Sequence, residues 1–193
     1  MRSLWRTPLL GQAIFQLWQL DARRKVEWFA PFVSTTDQMI EIGSGPGSVQ
    51  AVLGEAGYSA LPLDIADSSF DNRFRPHLYD GRRMPFDDGA FDAALLLTML
   101  HHTPDPDAIL REAARIARRL ILVEDVHEGA LQRYLTYGAD SLVNLEFFGH
   151  PHTNRDDDGW RATFEDHGLR LVHADQKPYG PLFRQALYVV DVV

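Results

Sequence analysis

After Pro31 the chain alternates between short apolar runs and helix-patterned segments, and this alternation constrains its fold more than any other feature. "QMIEIG" reads as a buried strand, and "SVQAVLGEAG" as a helix with Val49, Val52, Leu53 and Ala56 inward and Gly57 as its stop. "YSALPLD" gives a second strand ending at Asp64, and "PHLYD" a short third one ending at Asp80. "FDAALLLT" is the most apolar run and reads as the central strand. In "DPDAILREAARIARR", Asp105 is placed to cap a helix, Pro106 fits its first position, and Ile109, Leu110, Ala113 and Ile116 share one face. "LILVEDV" is a further buried strand, and "DDDGWRATFEDHG" has the acidic start and glycine stop of a capped helix. "LRLVHAD" and "QALYVVDVV" read as an antiparallel pair at one edge. Strands that alternate with helices build a mainly parallel sheet covered on both faces, which is the α/β class.

Two segments stand outside the alternation. From Leu9 to Phe29, Leu10, Ile14, Leu17, Trp18, Val26 and Phe29 recur at helical spacings, predicting an amphipathic helix or helix pair that caps the domain over residues 1–36. Residues 127–155 are rich in aromatics and histidines and predict an insertion that covers a binding site. At 193 residues one domain is expected, 1–193. The net charge of -8 disfavours a nucleic-acid backbone as partner, and Arg23-Arg24-Lys25 and Arg82-Arg83 read as solvated clusters. There is no cysteine, and no apolar stretch approaches the roughly 18 residues of a membrane span. The N-terminus shows no continuous secretory h-region, so a soluble, cytoplasmic protein without membrane attachment is expected, as monomer or homodimer.

"MIEIGSGPGSV" packs Gly43, Gly45 and Gly47 directly behind the first strand. A glycine turn between a buried strand and a helix exposes the helix's free N–H groups at the carboxyl edge of the sheet, where ligands of open α/β sheets bind. A dinucleotide fingerprint would need glycine at 48, where serine stands, and the acid at Glu41 would repel a pyrophosphate. A cationic ligand without phosphate suits the turn better, and S-adenosylmethionine, with its sulfonium and ammonium, is such a ligand. Asp64 ends the second strand about 20 residues on, where a carboxylate can accept from both ribose hydroxyls. Asp80, in "YDGRRMPF", can accept from an adenine amino group. Each acid alone also fits a strand-end turn.

Together "MIEIGSGPGSV", "LPLDIAD", "YDGRRMPFDDGAFDAALLLTMLHHTPDPDAILREAARIARRLILVEDV" and "GWRATFEDHGL" resemble the class I S-adenosylmethionine-dependent methyltransferases, closest to the small group often called type 11. The resemblance runs from Met39 to Val193. It implies a Rossmann-like three-layer sandwich with a mainly parallel seven-stranded sheet, order 3-2-1-4-5-7-6, and an antiparallel last strand. It further implies that Glu41, Gly43 and Gly45 border the methionine tail and sulfonium, Asp64 the ribose, and Asp80 with Gly81 the adenine, with Ser44, Ile65 and Arg82 also in the cofactor site. Thr98, Met99 and Leu100 would flank the cofactor beneath the methyl group. One departure is that "ARIARRLILVEDV" lacks the family's Pro-Gly-Gly-type turn before the fifth strand.

The implied reaction is methyl transfer to an O, N or C atom of a small acceptor, in which alignment does most of the work. Where a base is needed, His101 and His102 beside the fourth strand are candidates, as against a capping and a packing histidine. His150, His152 and Tyr134 are candidate acceptor-pocket residues. No metal is expected, because His127, His150 and His152 lack the carboxylate spacing of a catalytic metal site. Tyr134, Tyr137, Phe147, Phe148 and Trp160 suggest an aromatic cover over a partly apolar acceptor, or simply core. A cofactor-binding member acting through a partner, and a nicotinamide-dependent oxidoreductase, stand as alternative readings.

Overall fold

Seven strands make one sheet in the order β3-β2-β1-β4-β5-β7-β6. The structure is a computed structural model that describes residues 8–126, 155–179 and 183–193. His127, Tyr134, Tyr137, Phe147, Phe148, His150 and His152, with nearly all of the expected cover, lie outside the described residues. The strands are β1 (Met39–Ile42), β2 (Ala60–Asp64), β3 (His77–Leu78), β4 (Phe91–Leu97), β5 (Ala117–Val126), β6 (Leu169–Tyr179) and β7 (Phe183–Val192). The helices are α1 (Pro8–Phe29), α2 (Ser48–Glu55), α3 (Pro106–Ile116) and α4 (Asp157–Asp166). β1 pairs parallel with β2 and β4, and β4 parallel with β5. β7 runs antiparallel to both β5 and β6, so the expected order and the antiparallel last strand are both present.

Alternation along each strand sorts the core into two layers. Ile40, Ile42, Ala94, Leu96, Leu120 and Leu122 face α3 and α4, where Leu110, Ile116, Trp160 and Phe164 meet them. Met39, Ala93, Leu95, Leu97, Ile121 and Val123 face α1 and α2, against Val26, Phe29, Val52 and Leu53. β4 lies in the middle and, past Asp92 near its start, is wholly apolar because both of its faces are covered. Each fully buried Leu, Ile, Val or Phe contributes about 1.5–3 kcal/mol of transfer free energy. Among the described residues no helix is long and apolar enough to cross a membrane.

The elements depart from the sequence expectation in three places. α1 is one continuous helix, but Leu10 and Leu17 are exposed, and its buried face runs through Phe15, Ala22, Lys25, Val26 and Phe29. That stripe wins because it is the one that meets the apolar rows of the sheet. Ala56, expected inward, is exposed just beyond the end of α2. Ala117, Arg118 and Arg119, expected in the helix, belong to β5, so α3 passes into the strand without an intervening loop. They belong to the strand because Ala117 and Arg119 pair with Phe91 and Ala93 of β4, and Arg119 also with Asp191 of β7; the ion pairs Arg119–Asp191 and Arg118–Asp92 accompany this pairing. Trp160 is core: it is 1% exposed and stacks with Phe164 near Tyr188.

Candidate functional site

The parallel strands β1, β2 and β4 deliver their carboxyl ends to one edge, and the glycine turn crosses it. Gly43 N and Ser44 N both donate to Leu63 O, at 2.8 and 3.2 Å, which ties the turn to β2. All three glycines take positive φ, +75°, +51° and +85°. At Gly47, which starts α2, a Cβ would lie 2.3 Å from the Cβ of Phe74, so no other residue fits. At Gly45 a Cβ would meet nothing within 4 Å. Beside it the Ser44 hydroxyl is buried and has no hydrogen-bond partner. The turn's own N–H groups are taken up within the protein, so what it leaves for a ligand is the open space at Gly45 and the unused Ser44 hydroxyl.

Asp64 is tied into this turn. Its Oδ2 accepts from Gly45 N at 2.8 Å, and its Oδ1 from Ile65 N at 2.7 Å and Ala66 N at 3.3 Å. Carboxylate oxygens have lone pairs to spare after these bonds, so the group is fixed in place without being used up. Asp80 is exposed and accepts from the Arg82 and Arg83 N–H groups through Oδ1, shaping the turn at Gly81. These backbone bonds hold its pKa below the ordinary value. Ile65 is 66% exposed, and its Cγ2 would touch a Cβ placed on Gly81, so the two line one patch. Met99 packs over Gly43, whereas the Leu100 side chain is wholly inside the core. Thr98 has φ +52°, the one non-glycine residue with positive φ among those described.

Glu41 occupies a position of β1 whose alternation, after Met39, points toward α2. There it is 3% exposed and accepts one hydrogen bond, from Gln50 Nε2 at 2.7 Å. Burial pushes its carboxyl up to about 8; the Gln50 bond and the Lys25 charge oppose this, and the Asp64 carboxylate adds to it. Between pH 4.5 and about 8 the folded chain therefore holds a proton that the unfolded chain has released, and stability falls as pH rises through that window. Glu41→Gln removes this term. In urea unfolding at pH 5 and pH 8, the stability difference between variant and wild type should move in the variant's favour by on the order of 3–5 kcal/mol. A difference that stays constant with pH would place the proton elsewhere.

On the opposite face of the sheet, β5 brings Glu124 to the same edge. Its Oε1 accepts from Met99 N at 3.1 Å and Leu100 N at 2.9 Å, and its Oε2 lies 2.6 Å from His101 Nδ1. His101 is 3% exposed and Glu124 1%. His102 is half-buried, with its ring 4.1 Å from that of His101. The carboxyl edge thus brings together Glu41, Gly43, Ser44, Gly45, Asp64, Thr98, Met99, His101 and His102. It leaves Asp80, Gly81, Arg82 and Ile65 at its outer rim. Among the described residues no group of three or more histidines and carboxylates could hold a metal ion.

Two residues of this edge escaped the sequence reading. Lys25 reads as part of a solvated basic cluster, although it shares a helical face with Ala22 and Phe29. Glu124 was passed over in "LILVEDV", although alternation puts it in line with Leu120 and Leu122, on the buried side.

The sheet order and this turn define the class I S-adenosylmethionine-dependent methyltransferase fold. A family model described as "Methyltransferase domain" matches residues 40–120. It is 28% identical over 135 residues to the sarcosine/dimethylglycine N-methyltransferase of Halorhodospira halochloris, covering 64% of this chain and 41% of that one. It is 26% identical over 179 residues to the methyltransferase GfsG of Streptomyces halstedii, covering 82% and 63%. The chain thus spans less than two thirds of these curated relatives. Among solved structures it superposes on geranyl diphosphate C-methyltransferase from Streptomyces coelicolor A3(2), in complex with Mg2+, geranyl diphosphate and S-adenosyl-L-homocysteine. The TM-score is 0.69 at 12% identity, over 100% of this chain and 88% of that one.

Proposed function

We propose that this chain transfers a methyl group from S-adenosylmethionine to an oxygen, nitrogen or carbon atom of a small, partly apolar molecule. The observation that carries the reading is the convergence of Glu41, the glycine turn and Asp64 on one sheet edge, with Asp64 bonded to Gly45 N across it. The family match supports it, and the named relatives, among them one acting on sarcosine and dimethylglycine, point to small acceptors.

When bound, S-adenosylmethionine supplies a methyl group already activated on a sulfonium. The chain's own work is then to bind, align and exclude water. Asp64 accepts from the ribose hydroxyls, Ile65 and Gly81 flank the adenine with Asp80 and Arg82, and Gly43, Ser44 and Gly45 border the amino-acid tail. Glu41 offers its carboxyl to the cationic end of the ligand, and a positive charge there favours its ionised form. Thr98 and Met99 close the floor beneath the methyl group. Glu124 Oε2 lies 2.6 Å from His101 Nδ1, so the tautomer that donates there carries its acceptor nitrogen at Nε2, with the His102 ring tilted beside it. His101 and His102 hold the acceptor or take its proton. His150, His152 and Tyr134 belong to the acceptor pocket, residues 127–155 to its cover and residues 1–36 to its cap.

Calorimetric titration tests the reading first. S-adenosylmethionine and S-adenosylhomocysteine should bind and NADH should not; tight NADH binding with no response to the other two would overturn it. Transfer of labelled methyl to a panel of small amines, phenols and carbon acids then tests catalysis. Binding without transfer across the panel would leave a cofactor-binding protein that acts through a partner.

A further inference from the structure

α1 brings to the glycine-turn edge a charged group that the reading above leaves unassigned. Lys25 is 6% exposed and lies on the same helical face as Ala22, Val26 and Phe29. An apolar side chain would serve the packing of this face better, since a buried ammonium is costly unless it is paired. Lys25 Nζ lies 2.6 Å from Asp21 Oδ2 and 2.8 Å from Thr98 Oγ1 at the end of β4. Arg24 shares the same Asp21 carboxylate at 3.0 Å, so two cations meet one anion and the cluster carries a net positive charge. Burial works against ionisation of Asp21, yet Lys25 and Arg24 together hold its pKa below the ordinary value. The next carboxyl on this face, Asp125, is already engaged by Gln185 Nε2 at 2.7 Å, and burial pushes its pKa up.

Glu41 lies within electrostatic reach of Lys25 but is not bonded to it. Gln50 holds Glu41 on one side, while Asp21 and Thr98 hold Lys25 on the other. Two buried groups of opposite character, each held by its own partner, face one edge without meeting. That arrangement suits a ligand that is itself a zwitterion, with an ammonium for the acid and a carboxylate for the lysine. A lysine ammonium has three donor hydrogens, and Asp21 and Thr98 take two of them. α1 is fixed at this edge at a second point, where Phe15 stacks on Phe70 at 4.6 Å and Phe74 at 6.0 Å beside the glycine turn.

We propose that Lys25 recognises the α-carboxylate of the cofactor's amino-acid tail and thereby selects the whole cofactor over truncated adenosine derivatives. The inference rests on the cofactor reading given under Proposed function. Its test is calorimetry with three ligands: S-adenosylhomocysteine, its decarboxylated analogue, and 5′-deoxy-5′-methylthioadenosine, which lacks the tail. Wild type should prefer S-adenosylhomocysteine to the decarboxylated analogue by at least about tenfold, the worth of a charge-assisted hydrogen bond. Lys25→Gln should abolish that preference by weakening S-adenosylhomocysteine alone, leaving methylthioadenosine within about twofold of wild type, and Lys25→Arg should restore part of it. Equal weakening of all three ligands, or unchanged S-adenosylhomocysteine binding, overturns the assignment. Should Lys25→Gln fail to fold, the wild-type comparison decides, and no preference for the carboxylated ligand overturns the assignment. If none of the three binds wild type, the cofactor reading itself falls, and Lys25's role with it.

Discussion

Replacing Asp64 by alanine is expected to weaken S-adenosylhomocysteine binding by more than about tenfold and to destabilise the domain at the same time. The affinity loss follows from the role proposed for the carboxylate: a hydrogen bond to a charged group is worth ~1.5–3 kcal/mol, and two ribose hydroxyls would share it. The stability loss follows from the bonds already present. Gly45 N, Ile65 N and Ala66 N all donate to Asp64, so alanine removes one tie between the glycine turn and β2 and leaves the two backbone bonds to Leu63 O. Two of these donors are at the surface and can turn to water, which keeps the expected cost to about 1–2 kcal/mol. Asp64→Asn separates the two effects, because its amide oxygen keeps part of the turn while the charge is gone. Calorimetric titration alongside urea unfolding measures both, and an alanine variant that binds like wild type would remove Asp64 from the ribose site.

The largest stability effect is expected at Glu124. Alanine there strands the Met99 and Leu100 N–H groups and His101 Nδ1 in a part of the molecule with almost no solvent access. Removing one partner of a buried charged cluster typically costs about 3–5 kcal/mol, because the others cannot find water. For a domain of this size each kcal/mol moves the melting temperature by roughly 2–4 °C, so a fall of about 6–20 °C is expected in a calorimetric scan. Glu124→Gln should fall less, since its amide oxygen still accepts from the two backbone groups. Melting of the alanine variant within about 2 °C of wild type would mean that the cluster has alternative partners.

The glycine turn, the acid before it and the acids at later strand ends were legible because each obeys a local rule: a turn needs positive φ, and a strand end meets the sheet edge. Sheet order was legible through the resemblance, because alternation alone does not say which strand is central. The face of α1 was not legible. Leu10, Leu17 and Leu20 make as good an apolar stripe as Phe15, Ala22, Val26 and Phe29, and only the sheet beneath decides between them. The same ambiguity hid Lys25, whose burial depends on a carboxylate one turn back and a hydroxyl 73 residues on. The end of α3 was misplaced because "ARR" is as good a helix as a strand, and it is pairing with β4 and β7, distant in sequence, that makes it a strand. For Trp160 the sequence left an aromatic cover and the core both open, and long-range packing places it, like the unassigned Glu124, in the interior.

Thr98 carries a consequence for how such a chain can drift. Holding a non-glycine residue at φ +52° costs on the order of 1 kcal/mol, and glycine at this place would relieve it at once. What glycine lacks is the hydroxyl that meets Lys25. Among sequences of this fold, threonine or serine at this strand end should therefore travel with a basic residue on the N-terminal helix. Where that helix loses its lysine, the hydroxyl keeps only its bond to Leu97 O and its place in the floor, and the two positions should be lost together.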